Sequence, residues 1–299
     1  MVQAPSAPTQ SAVSLRGDYS RATADYSVSQ DYSRYTEEDQ AIWRMLFARQ
    51  RPLLEKYAAP EILTGIETLG ASAERIPDFD EASRTLQSLT GWRIVAVPGL
   101  IPEDHFYSHL ANRRFPVSVW MRNRDELDYL QEPDLFHDFF GHVPLLTNPT
   151  FARFVQAYGA AGPKADSHRA IKMLARLYWY TVEFGLIETA EGLRAYGAGI
   201  LSSKGETVHS VESPIPNRIR FDLIRAMRTN YLIDDFQKTY FVLDSFEQLF
   251  HAGYGTDFAP IYDRYGDETG YAADERLPTD VVVDRSTTTF NARSHPDRV

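Results

Sequence analysis

The chain has 299 residues, of which 43% are hydrophobic and 24% charged, with no cysteine and a formal net charge of −10 at pH 7. The negative charge argues against a surface for nucleic acid or an anionic membrane, and the absence of cysteine excludes disulfides, thiolate ligands and a cysteine nucleophile. No apolar run approaches the roughly 20 residues of a membrane span, and the first residues lack the pattern of a signal peptide, so we expect a cytoplasmic location.

The start of the chain differs in composition from the rest. It is rich in Ser, Ala, Asp and Tyr, and Asp-Tyr-Ser occurs three times, beginning at Asp18, Asp25 and Asp31. No apolar periodicity appears before Thr36, which is typical of disorder, although the tyrosines would also suit a docking motif. We therefore divide the chain into three parts: a disordered N-terminal tail at 1–35, one folded domain at 36–284 and a polar C-terminal tail at 285–299.

The first half of the domain is predicted to consist of helices and short strands. Thr36 starts a capping pattern with Asp39, and apolar residues from Ile42 to Tyr57 recur on one helical face. The further elements predicted here are helices at 60–70, 80–89 and 103–112 and strands at 93–97 and 115–121.

The second half adds mostly helices, and no internal boundary or repeat appears between 36 and 280. The predicted elements are a helix from Pro149 to Tyr158 capped by Asn148, a loop at 159–167, a long helix at 171–187, a Gly- and Ser-rich loop at 196–203, a helix through Met227, a strand at 239–243, a helical turn at 246–250 and irregular chain from about Thr256. The sequence thus predicts a single, mainly α domain with small β elements.

One pair of histidines has the spacing of a metal site. His105 and His109 lie four residues apart on the predicted helix at 103–112. No cysteine or third histidine nearby completes a ligand set, and charged residues surround the pair. We therefore interpret this pair as a solvated or half-buried helix face.

A second pair of histidines lies in the apolar stretch at 132–146. His137 and His142 are five residues apart, beside Asp134 and Asp138. Five residues on a regular helix turn about 500°, so the two rings would lie about 140° apart and could share a metal only if the backbone departs from that helix, which Gly141 permits. Spacing alone leaves two interpretations open, a pair of metal ligands or two core histidines bonded to backbone groups.

A carboxylate supplies a third candidate ligand. Glu183 lies on the predicted helix at 171–187 among Trp179, Tyr180, Leu186 and Ile187. A carboxylate in such surroundings is costly unless it is paired or metal-bound. A salt bridge, for example to Arg176, is the alternative. Two histidines and one carboxylate form the facial triad of non-haem Fe(II) oxygenases.

Four motifs carry a resemblance to a known family. They are Glu132-Pro133-Asp134 with His137, Gly141-His142-Val143-Pro144, Tyr178-Trp179 with 181–186, and Tyr196-Gly197-Ala198-Gly199 with Leu201-Ser202-Ser203. They resemble the aromatic amino acid hydroxylases, and the resemblance runs from about residue 92 to about residue 250. It implies that the domain at 36–284 is a single catalytic domain of the aromatic amino acid hydroxylase type.

The resemblance also implies an activity. The family members are tetrahydrobiopterin-dependent, non-haem Fe(II) monooxygenases, and His137, His142 and Glu183 match the iron ligands one for one. The short architecture resembles the single-domain bacterial members, which implies L-phenylalanine as substrate, L-tyrosine as product, and O₂ and a reduced pterin as partners. No regulatory domain precedes the matched region and no heptad helix follows it, so we expect a monomer.

Cofactor residues are implied in the same way. Phe106 aligns with the pterin-stacking phenylalanine of the family, and stacking on a flat heteroaromatic ring is chemically reasonable. A core phenylalanine is the alternative. Asp138 and Tyr178 fall at pterin-side positions, and Gly99 and Leu100 lie in the matching loop.

Substrate residues are implied as well. Arg122 aligns with the arginine that holds the substrate carboxylate, a task that suits a guanidinium; only the alignment favours it over Arg124. Trp179 and Phe184 match positions beside the substrate ring, and Ser202 lies in the loop near the substrate.

Two features leave the substrate site open to another interpretation. A salt bridge would give Arg122 a purely structural role, and the acidic residues that follow it are Asp125, Glu126 and Asp128. The chain also has Leu130-Gln131 where the animal enzymes have Thr-Pro, which leaves contacts to the substrate amino group undetermined.

Three alternatives to phenylalanine hydroxylation remain at the level of sequence. Tryptophan or tyrosine hydroxylation within the same family is the nearest, because all three substrates are flat amino acids. A Zn²⁺ hydrolase could use the same three ligands, but it would require neither pterin nor O₂. A scaffold protein with a tyrosine-rich docking tail is the third, and a complete ligand set argues against it.

Overall fold

The structure is a computed structural model that describes residues 15–283; the predicted polar tail at 285–299 and the first part of the predicted N-terminal tail lie outside the described residues. The α-helices of the described part are α1 Glu37–Tyr57, α2 Pro60–Thr68, α3 Phe79–Leu89, α4 Glu103–Ala111, α5 Pro149–Ser167, α6 Ile171–Tyr178, α7 Ala198–Leu201, α8 Lys204–Glu212, α9 Leu223–Met227, α10 Phe246–Gly253 and α11 Ala259–Tyr265. Between residues 15 and 283 we find no helix whose length and apolar character would let it cross a membrane. The predicted mainly α domain with small β elements is confirmed.

Six short strands in the described residues form two sheets. They are β1 Arg93–Val97, β2 Arg114–Ser118, β3 Leu186–Thr189, β4 Gly192–Ala195, β5 Asn217–Arg220 and β6 Thr239–Leu243. The strands β1 and β2 pair in parallel, with α4 between them in sequence. The other sheet has the order β4-β3-β6-β5, in which β3 and β4 form an antiparallel hairpin and the remaining neighbours are parallel.

Helix α1 supports the segment that carries the two histidines. Its N-terminus has the predicted capping box, in which the Thr36 hydroxyl accepts from the Asp39 N–H and the Asp39 carboxylate accepts from the Thr36 N–H. The indole of Trp43, fully buried on the apolar face, lies edge-on to Phe136 and Phe139, with ring centroids 5.4 and 6.2 Å apart. The segment 136–142, which carries both histidines, therefore packs on α1 through aromatic side chains.

Residues 15–35 lie against the domain, so the prediction of disorder up to residue 35 is wrong for this part. The Val28 N–H donates to the Ala96 carbonyl in β1 at 2.9 Å, and the Asp25 carbonyl lies 2.8 Å from His109 Nε2. These contacts use backbone groups and polar side chains rather than a periodic apolar face. For that reason the apolar pattern of the sequence did not indicate them.

The loop predicted at 159–167 is helical, because α5 continues to Ser167. A Cβ atom at Gly159 would lie 2.4 Å from the Ala111 N, and one at Gly162 would lie 2.4 Å from Tyr107 Cγ. The two glycines therefore allow α5 to approach α4 closely instead of breaking the helix.

Other predicted element boundaries differ from the observed ones where a segment forms a strand that pairs with a strand distant in sequence. The helix predicted at 171–187 leaves the α conformation after Tyr178 and gives way to β3, which pairs with β4 and β6. The helix predicted to run through Met227 is preceded by β5, which pairs with β6. The region after Thr256 contains α11.

Candidate metal centre

The backbone around the two histidines departs from a regular α-helix, as their spacing required. Residues Phe136–His142 form a π-helix, whose i→i+5 hydrogen bonds bring His142 back over His137. The two imidazole centroids lie 5.1 Å apart. Gly141 takes part through close packing, because a Cβ there would lie 2.9 Å from Ala198.

The third candidate ligand lies on a second π-helix, Trp179–Glu183, directly after α6. The Glu183 carboxylate lies 3.1 Å from His142 Nε2 and 3.6 Å from His137 Nε2. One ligand atom from each of the three residues lies within 4.8 Å of the others, and between residues 15 and 283 no other group of three such side chains has this arrangement. The prediction that these residues come together is confirmed.

A buried serine orients one of the imidazoles. The Ser202 hydroxyl donates to the Ala198 carbonyl at 2.9 Å and lies 2.9 Å from His137 Nδ1. Because the Ser202 proton is used in the bond to Ala198, the Ser202 oxygen accepts a hydrogen bond from the Nδ1–H of His137. The Nε2 atom of His137 then carries no hydrogen, and its lone pair is directed at the metal centre. Burial lowers the pKa of His137 to about 4, which keeps the ring neutral, as a metal ligand must be.

Charge interactions keep the carboxylate ionised. Burial raises the pKa of Glu183, but the attraction and hydrogen bond from His142, together with the Gly199 N–H, outweigh burial and hold the pKa below its usual value. The alternative of a salt bridge to Arg176 is wrong. That guanidinium instead donates to the Asn230 side chain.

Arg122 is buried, with 5% of its surface exposed, and is bound by a residue that the sequence did not indicate as its partner. Its Nε and Nη2 atoms donate to the two carboxylate oxygens of Asp134, each at 2.8 Å. Attraction to Arg122 and hydrogen bonds outweigh the burial of Asp134 and lower its pKa. Asp134 also accepts the backbone N–H of His137 at 3.0 Å and so joins the guanidinium to the metal centre.

The competing arginine points elsewhere. The Arg124 side chain is exposed and forms a salt bridge with Glu38, whereas Arg122 is buried. None of the three acidic residues weighed as partners of Arg122 forms its salt bridge. The structural ion pair is made with Asp134, twelve residues further along the chain.

The residues expected on the pterin side lie together beside His142. Phe106 is half-buried, edge-on to Tyr178 with a centroid distance of 5.6 Å, and Tyr178 lies 6.2 Å from the His142 ring. Asp138 accepts the Ser118 N–H at 2.8 Å, and burial raises the pKa of this carboxyl to about 7.

The loop after β1 is held by another carboxylate. The Leu100 N–H donates to Glu132 Oε1 at 3.2 Å, while the Leu100 side chain is 47% exposed. A Cβ at Gly99 would lie 2.4 Å from the same oxygen, so only glycine allows this approach. The Tyr19 hydroxyl of the N-terminal segment donates to the Leu100 carbonyl at 2.8 Å. Sequence reasoning did not assign Glu132 or Tyr19 to this loop.

The residues expected beside the substrate ring form an aromatic wall. Trp179 and Phe184 have ring centroids 4.7 Å apart, and Trp179 also stacks on Tyr231 with ring centroids 4.1 Å apart. The indole N–H donates to Gln237 Oε1 at 2.8 Å. Tyr231 and Gln237 carry no local sequence signal, because a loop more than 50 residues further on delivers them.

The other histidine pair does not join the metal centre, and the expectation of a solvated or half-buried helix face holds for His105 but is wrong for His109, which is 1% exposed. His109 is buried and contacts the Asp25 carbonyl, and His105 lies edge-on to Tyr26 with a centroid distance of 4.9 Å. Both imidazoles therefore help to seat the N-terminal segment.

Two imidazoles and one carboxylate that converge from two π-helices define a protein with a mononuclear metal centre of the facial-triad type. Such a centre leaves metal positions open for O₂ and substrate, and the adjoining aromatic walls suit flat ligands.

Comparison with known proteins identifies the family. The family described as biopterin-dependent aromatic amino acid hydroxylase matches residues 5–255, and the chain belongs to it. A phenylalanine-4-hydroxylase of Ralstonia nicotianae is 57% identical over 88% of this chain and 84% of its own length, and one of Chromobacterium violaceum is 55% identical over 87% of each. The crystal structure of the Chromobacterium violaceum enzyme described as iron- and phenylalanine-bound aligns with a TM-score of 0.84 at 53% identity, covering 88% of this chain and 96% of that one. The resemblance seen in the sequence is confirmed.

Proposed function

We propose that this enzyme hydroxylates L-phenylalanine to L-tyrosine, using O₂, a reduced pterin and one Fe(II) held by His137, His142 and Glu183. The convergence of these three ligand atoms, with the His137 ring fixed by Ser202, is the observation that carries the proposal. Two imidazoles and a carboxylate suit Fe(II), and the relatives named above support phenylalanine as the substrate.

Iron and the reduced pterin, when bound, supply the electrons that activate O₂ for insertion of one oxygen atom into the substrate ring. The protein must hold the three reactants in a fixed geometry and exclude water. The ligand side chains are 5–19% exposed, which supports such a sheltered site.

Arg122 is proposed to bind the substrate carboxylate. Asp134 occupies the edge of the guanidinium formed by Nε and Nη2, whereas Nη1 has only a 3.5 Å contact with the Leu127 carbonyl. One hydrogen of Nη1 thus remains for a charge-assisted bond to the substrate. Asp134 holds the guanidinium rigid so that the substrate ring is placed relative to the metal centre.

The aromatic wall of Trp179 and Phe184 is proposed to contact the substrate ring. Trp179 and Glu183 belong to the same π-helical turn, which ties the wall to the metal centre. Ser202 lies in the loop near the substrate and acts there through His137, which it orients.

The pterin is proposed to lie between Phe106, Tyr178 and Asp138 on one side and the Gly99-Leu100 loop on the other. Phe106 supplies a ring face for stacking. The loop supplies backbone groups whose positions Glu132 fixes.

The test is aerobic incubation of the purified protein with Fe(II), a tetrahydropterin and each of phenylalanine, tyrosine and tryptophan, with products identified by mass. We expect tyrosine from phenylalanine as the fastest reaction, strictly dependent on pterin. Faster turnover of another amino acid would replace the proposed substrate. A hydrolytic activity with Zn²⁺ that needs no pterin would overturn the proposed reaction.

The expected cytoplasmic location and monomeric state stay predictions. Equilibrium sedimentation at micromolar concentration tests the second of them.

A further inference from the structure

Three contacts restrain the indole of Trp179. Tyr231 stacks on one face with centroids 4.1 Å apart and planes 11° from parallel, and Phe184 packs at 4.7 Å. The remaining restraint is the hydrogen bond from the indole N–H to Gln237 Oε1 at 2.8 Å. A stacked ring can still slide within its plane, and this hydrogen bond prevents that motion.

The side-chain amide of Gln237 is held in one orientation. Its Nε2 donates to the Leu232 carbonyl at 2.9 Å, so its oxygen must face the indole. Gln237 is 3% exposed, so this arrangement is shielded from competing water.

The backbone of Gln237 is anchored as well. Its N–H donates to Glu206 Oε1 at 3.1 Å, and the Tyr240 hydroxyl donates to the same oxygen. Glu206 is itself buried in α8. The acceptor for the indole is therefore tied to two other elements of the fold, α8 and β6.

The position of the indole is coupled to the metal ligand. The Phe184 N–H donates to the Trp179 carbonyl at 2.8 Å. A Cβ at Gly199 would lie 2.6 Å from the Phe184 ring, and the Gly199 N–H in turn donates to the Glu183 carboxylate. A shift of the indole would thus displace groups packed around Glu183.

We propose that Gln237 is a positioning residue for the substrate-ring subsite: it fixes the plane of Trp179 and so sets where an aromatic amino acid lies relative to the metal centre. This inference rests on the proposed function. It makes Gln237 a determinant of selectivity among phenylalanine, tyrosine and tryptophan, although Gln237 acts only through Trp179.

The test compares the parent enzyme with Gln237→Met, which keeps the side-chain length and removes the acceptor. We expect the KM for phenylalanine to rise about three- to tenfold, the amount expected from loss of one buried hydrogen bond. Product per pterin oxidised should fall, the ratio of phenylalanine to tryptophan turnover should change, and the KM for pterin should stay within about twofold.

The matched control is the same substitution in a Trp179→Phe background, where there is no indole N–H. There, Gln237→Met should cause no further change in substrate KM or coupling, because the interaction is already absent. Should Gln237→Met not fold, Gln237→Leu in the two backgrounds serves the same comparison, because it also removes the acceptor for the indole N–H and adds no charge.

Unchanged substrate KM, coupling and selectivity in Gln237→Met would overturn the inference. Equal effects in the parent and in the Trp179→Phe background would also overturn it, because they would mark a general structural role. A parent enzyme that forms no hydroxylated product would instead contradict the proposed function, so the two failures are distinguishable.

Discussion

His137 and Ser202 form a donor–acceptor pair of fixed polarity: Nδ1 of the imidazole lies 2.9 Å from a hydroxyl whose own proton is donated to the Ala198 carbonyl. The tautomer of the ligand histidine is thereby set by the backbone of α7. Hydrogen bonds of this kind orient a metal ligand and raise its basicity.

Ser202→Ala should weaken iron binding. Loss of the acceptor frees the His137 ring to rotate and to change tautomer, and partners of metal ligands typically contribute about 10- to 100-fold in affinity. Competition with a chelator measures this, with Ser202→Thr as the control that retains a hydroxyl. Equal iron affinity in the parent and Ser202→Ala would show that the hydrogen bond does not support the metal.

Removal of residues 1–35 should destabilise the domain, because residues 15–35 contact it. Hydrogen bonds to the domain would be lost, among them those of Val28 with Ala96, Asp25 with His109, and the Gln30 and Tyr32 side chains with backbone carbonyls. At about 1 kcal/mol for each hydrogen bond, and about 2–4 °C per kcal/mol for a domain of this size, the Tm should fall by about 8 °C or more. A chain lacking only residues 1–14 is the control, because it keeps all of these contacts. A Tm unchanged by the longer deletion would show that the segment does not contribute to stability.

Substitution of Arg122 should affect both stability and substrate binding. Arg122→Ala leaves the fully buried Asp134 carboxylate without its partner, at a cost of about 3–5 kcal/mol in the free energy of unfolding. Arg122→Lys keeps the charge but loses the fork, so it should cost less stability while still raising the KM for phenylalanine and lowering product per pterin. Urea unfolding and steady-state kinetics on the same samples separate the two effects. A normal KM in a folded Arg122→Lys enzyme would restrict Arg122 to a structural role.

Glu206 should make stability depend on pH. Burial raises the pKa of this carboxyl in the fold, although the Tyr240 hydroxyl and the Gln237 N–H partly oppose the change. A raised folded pKa means that the stabilisation is fully present below the unfolded pKa of about 4.3 and is lost as pH rises through the folded pKa. The loss is about 1.4 kcal/mol for each pH unit that separates the folded pKa from the unfolded pKa.

Glu206→Gln removes this titration. The free energy of unfolding of the variant minus that of the parent should therefore be larger at pH 8 than at pH 5. Urea unfolding of both proteins at both pH values measures this difference. A difference between the two proteins that stays constant with pH would show that Glu206 does not titrate in this way.

The three metal ligands could be predicted from the sequence because of their chemistry and their surroundings. Two histidines and a carboxylate in apolar surroundings must be satisfied, and the five-residue spacing of His137 and His142 required the irregular helix that is observed. The motifs around them supplied the family.

The hydrogen-bond and ion-pair partners of the site residues could not be predicted from the sequence, because the tertiary structure determines which residues meet. Asp134 is one of several acids near Arg122, and nothing local distinguishes it from Asp125 or Asp128. Gln237 contacts Trp179 only in the folded chain, because the two residues are 58 positions apart in sequence. The apolar pattern did not indicate the contacts of the N-terminal segment, because they consist of hydrogen bonds and scattered apolar side chains rather than one periodic apolar face.

The proposed reaction depends on one iron, held by His137, His142 and Glu183, that carries out pterin-dependent hydroxylation of phenylalanine. The decisive measurement is iron content together with tyrosine formed, in the parent and in His142→Ala after identical loading with Fe(II). We predict about one iron per chain and steady tyrosine formation in the parent, and neither in the variant, because the three ligands act as a unit. Full iron content and full tyrosine formation in His142→Ala would refute this assignment of the metal centre.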